Sequence, residues 1–161
     1  MINYLAAMTT GGELWVAFEG GRICLSQLGT DEDAFVAECE RRLGTKPVRA
    51  ENTGLERSIA ERLGADTTVP FDLDRSTPFQ RQVLQEVASI PRGQVRTYGQ
   101  VAAAVGRPRA ARAVGEVMRT NPIPVLIPCH RVVRSGGQLG NYSPRPELKR
   151  HFLIEEGALS S

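Results

Sequence analysis

The run Pro128-Cys129-His130-Arg131-Val132-Val133-Arg134 sets a soft nucleophile beside the commonest biological base. A cysteine attacks as its thiolate, which forms when a base removes the proton or a nearby positive charge stabilises the anion. His130 offers the first kind of help and Arg131 the second. The third member of such a relay is a carboxylate, which fixes the imidazole tautomer while the ring withdraws the thiol proton. Glu155 and Glu156, near the end of the chain, are both available for that role. If Cys129 and His130 lie on extended chain, their side chains point to opposite sides and the base must act through a water. Adjacency alone also admits a plainer reading, a small buried Cys next to an incidental His.

A second set of residues speaks of a polyanion. Residues 1–75 hold 13 acidic and 8 basic side chains, a net of −5, whereas residues 76–161 hold 5 and 12, a net of +7. Halves of opposite sign suggest two units, an acidic domain over 1–75 and a basic one over 76–161 whose partner is a nucleic acid. Arg109, Arg112 and Arg119 fall on one expected helix, interleaved with Ala110, Ala111, Ala113 and Gly115. Small side chains there favour close backbone approach over reading of base edges. Ordinary packing of an Ala-rich helix pair is the competing account.

These residues need elements to position them. Glu13–Phe18 and Arg22–Leu28 read as strands of a hairpin around Gly20-Gly21. Thr30 is the expected cap of a helix from Asp31 to Leu43, with Phe35, Cys39 and Leu43 on one face and Gly44 as its stop. Thr53 to Glu56 has capping-box spacing and opens a helix through Leu63, ending at Gly64. Val69–Leu73 returns to an extended pattern. Past the boundary, Thr77-Pro78 starts a helix whose Phe79, Val83, Val87 and Ile90 form an apolar stripe. Thr97 to Gln100 caps a short helix that Gly106 stops, and Pro108 begins the next, Arg109–Thr120. Two helices joined by a tight Gly-containing turn have the size of a helix-turn-helix. Asn121–Pro128 reads as an apolar strand stiffened by three prolines, a rigid arm delivering Cys129. Ser135-Gly136-Gly137 is a turn, and a last helix follows Pro146, with Leu148 and Phe152 inward and Gly157 as stop.

At 161 residues the chain buries roughly two-thirds of its unfolded surface without staples. Three cysteines with no framework spacing, no leader-like start and no apolar run long enough for a bilayer suggest a cytoplasmic protein with free thiols. Two histidines and three scattered cysteines give no zinc spacing, so no metal is expected.

Arg112-Ala113-Val114-Gly115, Asn121-Pro122-Ile123-Pro124, Ile127-Pro128-Cys129-His130-Arg131-Val132, Gly140-Asn141-Tyr142-Ser143 and Glu156-Gly157 resemble, in order and spacing, the O6-alkylguanine-DNA alkyltransferases. The resemblance is dense over residues 77–158 and fades before them. It implies an α/β protein: a small RNase H-like amino-terminal domain, then a mostly helical, winged-helix-like domain with a helix-turn-helix. It implies methylated-DNA–protein-cysteine S-methyltransferase activity on alkylated double-stranded DNA, entered from the minor groove with the damaged guanine flipped out. The alkyl group on O6, and the O4 group of alkylthymine, would pass once and irreversibly to Cys129, with no cofactor. His130 would act through a water, and Glu156 would support it. Asn121 would tie the DNA helix to the active-site arm, and Tyr98 would lend its hydroxyl to the guanine. Arg112 would fill the space of the flipped base, with Ala110, Ala111, Gly115, Arg119 and Ser135 against the DNA. Met118, Pro124, Val132, Tyr142 and Ser143 would line the pocket. The protein would be monomeric, with room for cooperativity on DNA. Pro144-Arg145-Pro146 departs from the family's glycine-rich stretch, which bears on the alkyl sizes admitted. Other classes compatible with the motifs are a non-enzymatic binder of alkylated DNA, a transcriptional regulator and a Cys hydrolase.

Overall fold

The computed structural model describes residues 1–51, 53–142 and 145–160 of a mixed α/β chain. Apolar side chains on both faces of a short sheet organise the beginning of the chain. Strands β1 (Asn3–Thr9), β2 (Gly12–Glu19) and β3 (Arg22–Leu28) run antiparallel, and β4 (Val48–Arg49) adds to β1 in parallel, in the order β3-β2-β1-β4. Alternation sends Trp15 and Ala17 to one face and Leu14 and Val16 to the other. All four are buried, so neither face is left to water. Sequence patterning did not single out β1: Asn3–Thr9 has weak strand propensity, and pairing with β2 along its whole length decides its conformation.

Helix α1 (Glu32–Leu43) puts Phe35 and Cys39 into a cluster with Ile2, Tyr4, Trp15, Ala17, Cys24 and Leu25. Full burial of each large side chain contributes about 1.5–3 kcal/mol. The cap differs from expectation by one residue. Asp31, not Thr30, accepts the amide of Ala34 at 2.8 Å, while the Thr30 carbonyl takes the Trp15 indole N–H at 3.2 Å. A carboxylate also suits the positive end of the helix better than a hydroxyl. Asp31→Ala should therefore cost about 1 kcal/mol in urea unfolding and Thr30→Ala less than about 0.5; the reverse ranking would refute this cap. Helix α2 (Leu55–Ala65) begins after Gly54, so Glu56 reaches back to the Thr53 amide without Thr53 itself being the cap. Gly64 lies inside α2 rather than ending it. The left-handed terminal position is held by Asp66, whose short polar side chain tolerates it.

The chain packs as two units, Met1–Leu73 with Pro122–Leu126, and Asp74–Asn121 with Ile127–Ser161. The five residues 122–126 join the first unit through long-range bonds. Ser26 donates its amide to the Pro122 carbonyl and its hydroxyl to that of Pro124, and Arg62 donates to the Leu126 carbonyl, at 2.9, 2.8 and 2.8 Å. The expected strand over 121–128 does not form. Pro122 and Pro124 have no amide to offer a ladder, and Val125 sits at φ +72°, a strained conformation for a β-branched residue that costs about 1–3 kcal/mol.

In the second unit α3 (Pro78–Ala88) buries Val83, Leu84 and Val87, and Phe79 lies under the Arg107 guanidinium at 5.5 Å. A two-residue strand β5 (Arg96–Thr97) leads into α4 (Tyr98–Ala104). Both helices open with a complete capping box, Thr77 with Gln80 and Thr97 with Gln100. Helix α5 (Ala111–Arg119) packs on α3 and α4. It starts two residues later than expected. Residues 107–110 close a turn by the Ala110 amide on the Arg107 carbonyl, and no Ser, Thr, Asp or Asn stands there to cap an earlier start. Arg109 is thus off the helix. A short strand β6 (Val132–Val133) pairs in parallel with β5, and α6 (Pro146–Glu155) closes the unit. No helix among the described residues is long and apolar enough to cross a membrane.

Candidate active site

Cys129, His130 and Arg131 form one turn of 3₁₀ helix, not extended chain. The Cys129 amide bonds the Ile127 carbonyl at 2.7 Å and the Arg131 amide that of Pro128 at 2.9 Å. Successive side chains of such a turn leave about 120° apart. That rotation, rather than strand alternation, separates the thiol from the imidazole. Parallel pairing of Val132 and Val133 with Arg96 and Thr97 then brings the turn beside the start of α4, where Tyr98 stands.

His130 is 2% exposed, with the rings of Phe152 and Tyr142 at centroid distances of 5.3 and 6.4 Å. Its Nε2 lies 2.9 Å from Oε2 of Glu156, the residue that ends α6, whereas its Nδ1 is buried without a hydrogen-bond partner among the described residues. Arg131 binds the same carboxylate with two donors, Nε to Oε1 and a terminal nitrogen to Oε2, each 2.9 Å, and gives a third to the Ile90 carbonyl at 2.7 Å. Burial alone would raise the Glu156 carboxyl, but the hydrogen bonds and charges of His130 and Arg131 bring it down to about 2. Burial pushes His130 the other way, below its ordinary value, against the pull of Glu156. At neutral pH Glu156 is ionised and His130 neutral. Its proton sits on Nε2 facing the carboxylate, and the Nδ1 lone pair is left as a base. Of the two carboxylates open to the sequence reading, Glu156 faces the imidazole. Glu155 instead pairs with Arg92 at 3.7 Å and His151 at 3.6 Å.

Cys129 is 7% exposed, and burial raises the pKa of its thiol. A hydrogen bond from Asn121, the charge of Lys149 and the amides of Cys129 and His130 pull in the opposite direction. Asn121, just past α5, also donates to the Ile127 carbonyl at 3.0 Å, which holds the backbone two residues before the thiol. The resting group is a thiol that needs a base.

Lys149 escaped the sequence reading. It is 1% exposed, donates to the Val132 carbonyl at 2.6 Å and the Asn141 carbonyl at 3.4 Å, and lies 5.8 Å from the Tyr98 ring centre. Burial brings it down to about 8. One signal was available: the chain uses 18 arginines and only two lysines, so a lysine one residue from the buried Leu148 was not a routine surface cation.

Tyr98 is half-buried, and Gly140, at φ +81°, passes so close that a Cβ there would come within 2.8 Å of the Tyr98 hydroxyl. Only glycine permits that approach. Met118, Val132 and Tyr142 are buried in the same unit. Pro124 belongs to the 122–126 segment of the first unit, and Ser143 lies outside the described residues. Among the residues expected to face DNA, Arg112 is exposed and has no ion-pair partner among the described residues, and Ser135 is exposed. Ala110 and Ala111 stand at the start of α5, where no side chain caps the helix. Arg119 is engaged by Glu116 on its own helix at 2.9 Å. Gly115 turns its Cα toward the Tyr98 ring, 3.9 Å from where a Cβ would stand, so it serves the α4–α5 contact.

A buried cysteine, and a buried histidine held by a carboxylate, lie in the same unit as a pair of packed helices, the makings of a nucleophile site on a helical binding domain. The family model described as 6-O-methylguanine DNA methyltransferase, DNA binding domain, matches residues 78–158, and the chain belongs to that family. It is similar to the methylated-DNA–protein-cysteine methyltransferase of Salmonella typhimurium, 42% identical over 123 residues that make up 74% of this chain and 72% of that one. The solved O6-methylguanine methyltransferase of Mycobacterium tuberculosis superposes with a TM-score of 0.77 at 29% identity, over 100% of this chain and 96% of the other. A structure of the M. tuberculosis protein in complex with DNA gives a TM-score of 0.77 at 27% identity, over 96% and 92%.

Proposed function

We infer that this chain repairs DNA by moving the alkyl group of O6-alkylguanine, once and irreversibly, onto its own Cys129. The observation that carries the acceptor assignment is the buried thiol beside a neutral His130 whose Nε2 is committed to ionised Glu156. A water accepting the Cys129 proton can pass it to Nδ1, the ring atom with no partner among the described residues. The thiolate sulfur then attacks the alkyl carbon. The S–C bond forms as the C–O6 bond breaks, and its electron pair leaves with guanine, which takes up a proton. Tyr98 lends its hydroxyl to that departing charge. Lys149 stabilises the thiolate by its own charge and, through the Val132 and Asn141 carbonyls, holds the two strands of backbone around it. The product thioether has no easy leaving group, so the protein is consumed. No cofactor takes part.

The partner is alkylated double-stranded DNA. Helices α4 and α5 with the β5–β6 pair act as a winged-helix-like reader that enters the minor groove, and the first unit is an RNase H-like support. Arg112, exposed and without an ion-pair partner among the described residues, fills the gap left by a flipped guanine, and the first-turn amides of α5 from Ala111 on meet phosphate, with Ala110 and Ser135 beside them. Arg119 must leave Glu116 to join them. Met118, Val132 and Tyr142 form the pocket, which also admits the O4-alkyl group of thymine. The protein acts as a monomer, with neighbours able to cooperate along DNA. Its three free cysteines fit a cytoplasmic setting.

Incubating the intact protein with a duplex carrying one O6-methylguanine should add a single methyl mass to the peptide containing Cys129, at one equivalent per protein and with no turnover. Protein that binds the duplex and stays unmodified after long incubation would sink the reading; so would methyl transfer to another residue.

A further inference from the structure

We propose that Arg131 is a positioning residue that fixes the Glu156 carboxylate and keeps His130 uncharged at rest, so that His130 takes a proton only from Cys129. The proposal rests on the alkyl-transfer reading for its purpose, but not for its test. Its basis is geometric. Each of the three nitrogens of one buried guanidinium donates, two of them to Glu156 and one to the Ile90 carbonyl. One oxygen of that carboxylate, Oε2, is the atom that His130 also touches.

A carboxylate alone opposite a buried imidazole would favour the imidazolium, because two opposite charges in a poorly solvated site hold one another. A ring already protonated cannot accept the thiol proton. Arg131 removes that driving force by neutralising Glu156 in place. Arg131 and Glu156 then carry no net charge between them. A proton arriving at His130 from solvent would leave an uncompensated cation, with Lys149 of α6 as a second positive charge nearby. A proton arriving from Cys129 creates thiolate and imidazolium together, and the buried site gains no charge. Breaking S–H and making N–H is the one protonation of His130 that the cluster accommodates. The other titratable group against the ring, Tyr142 on the segment before α6, meets it edge-on, and burial keeps its hydroxyl protonated. Arg131 thus makes His130 a relay that answers to the thiol and not to the medium.

The test follows the His130 resonance by NMR in protein labelled at histidine, with no DNA present. The chain has two histidines, and His151→Asn assigns the other signal. Wild-type His130 should titrate below the ordinary histidine range. In Arg131→Met, which keeps length and removes charge, its midpoint should rise by about one to three pH units. Arg131→Lys keeps the charge but not the two-point grip. There the midpoint should stay low while single-turnover methyl transfer slows about tenfold or more. If Arg131→Met fails to fold, the double variant Arg131→Met with Glu156→Gln removes the stranded charge, and its midpoint should be as low as in the wild type. An unchanged midpoint in folded Arg131→Met, or a raised one in Arg131→Lys or in the double variant, overturns the proposal. A protein that shows these shifts yet never accepts a methyl group would refute the alkyl-transfer reading instead.

Discussion

Cys129→Ser should abolish alkyl transfer, by more than about a thousandfold in a single-turnover assay, while binding to alkylated duplex stays within about twofold of wild type. The difference lies in the proton. A thiol of ordinary pKa near 8.5 is within reach of an imidazole and a nearby cation, whereas a serine hydroxyl is far weaker as an acid and gives almost no alkoxide. Burial makes the contrast sharper, because it disfavours any anion at this position and leaves only local help to form one. Little else changes. The hydroxyl is smaller than the thiol, and Asn121 remains to hydrogen-bond it, so stability should move by no more than about 1 kcal/mol. Cys24 and Cys39 are buried in the first unit. Cys24 gives its Sγ to the Ala17 carbonyl, and burial pushes Cys39 up to about 12, so neither can substitute as acceptor. Methyl transfer to the Cys129→Ser protein, whether onto either of these cysteines or onto the introduced hydroxyl, would disprove the assignment.

Glu156→Ala should be the most damaging single change to the structure of the site. It leaves Arg131 as a buried charge without its carboxylate, and it takes the partner of His130 Nε2 away. Breaking a buried pair from one side costs about 3–5 kcal/mol, which chemical unfolding would show as a lowered midpoint with an unchanged slope. Transfer should slow by about a hundredfold or more, because the ring loses the contact that sets its tautomer. The effect has a pH signature. The carboxyl ordinarily titrates near 4.3 but in the folded chain is held down to about 2. Between those values the unfolded chain binds a proton that the folded chain does not, so this contribution is whole above about pH 4.3 and fades as pH falls to about 2. His130, also depressed, acts in the same direction from its ordinary value near 6.5 downward. Wild-type stability should therefore drop steeply on acidification, and Glu156→Ala should show a shallower drop between about pH 4 and 2 from a lower starting point. Parallel acid profiles for the two proteins would mean that the carboxylate is not held by His130 and Arg131.

Much of this site could be read from local chemistry. Cysteine beside histidine is visible without a fold, but adjacency alone equally fits a buried cysteine next to an incidental histidine, and the family motifs around it carried the reading. Thr77-Pro78 starts a helix and the Thr97–Gln100 box forms as their local chemistry implied, and the structure adds a second box, Thr77 with Gln80. The errors share a cause. Thr30, Gly64 and Pro108 each looked like a boundary by residue type. Asp31 had the better charge, α2 tolerated a glycine, and nothing stood before Ala111 to cap a longer α5. The expected strand leading to Cys129 was lost to proline chemistry and to bonds made by Ser26 and Arg62, 98 and 64 residues away from the carbonyls they hold. Lys149 was missed because burial of a lysine is invisible until Val132 and Asn141 are brought to it.

By itself, then, the sequence determined the juxtaposition of Cys129 and His130 and the helix starts that carry their own caps, which depend on neighbours within a few residues, and the charge division between the two halves, which is composition alone. The tertiary structure set Glu156, which the family resemblance had already named, against His130, and it alone showed that Arg131 shares that carboxylate and that a buried lysine bears on the thiol. Those choices depend on which side of the last turn of α6 faces the Cys129–Arg131 turn. A rotation of about 100° between residues 155 and 156 puts one carboxylate on His130 and the other on Arg92 and His151.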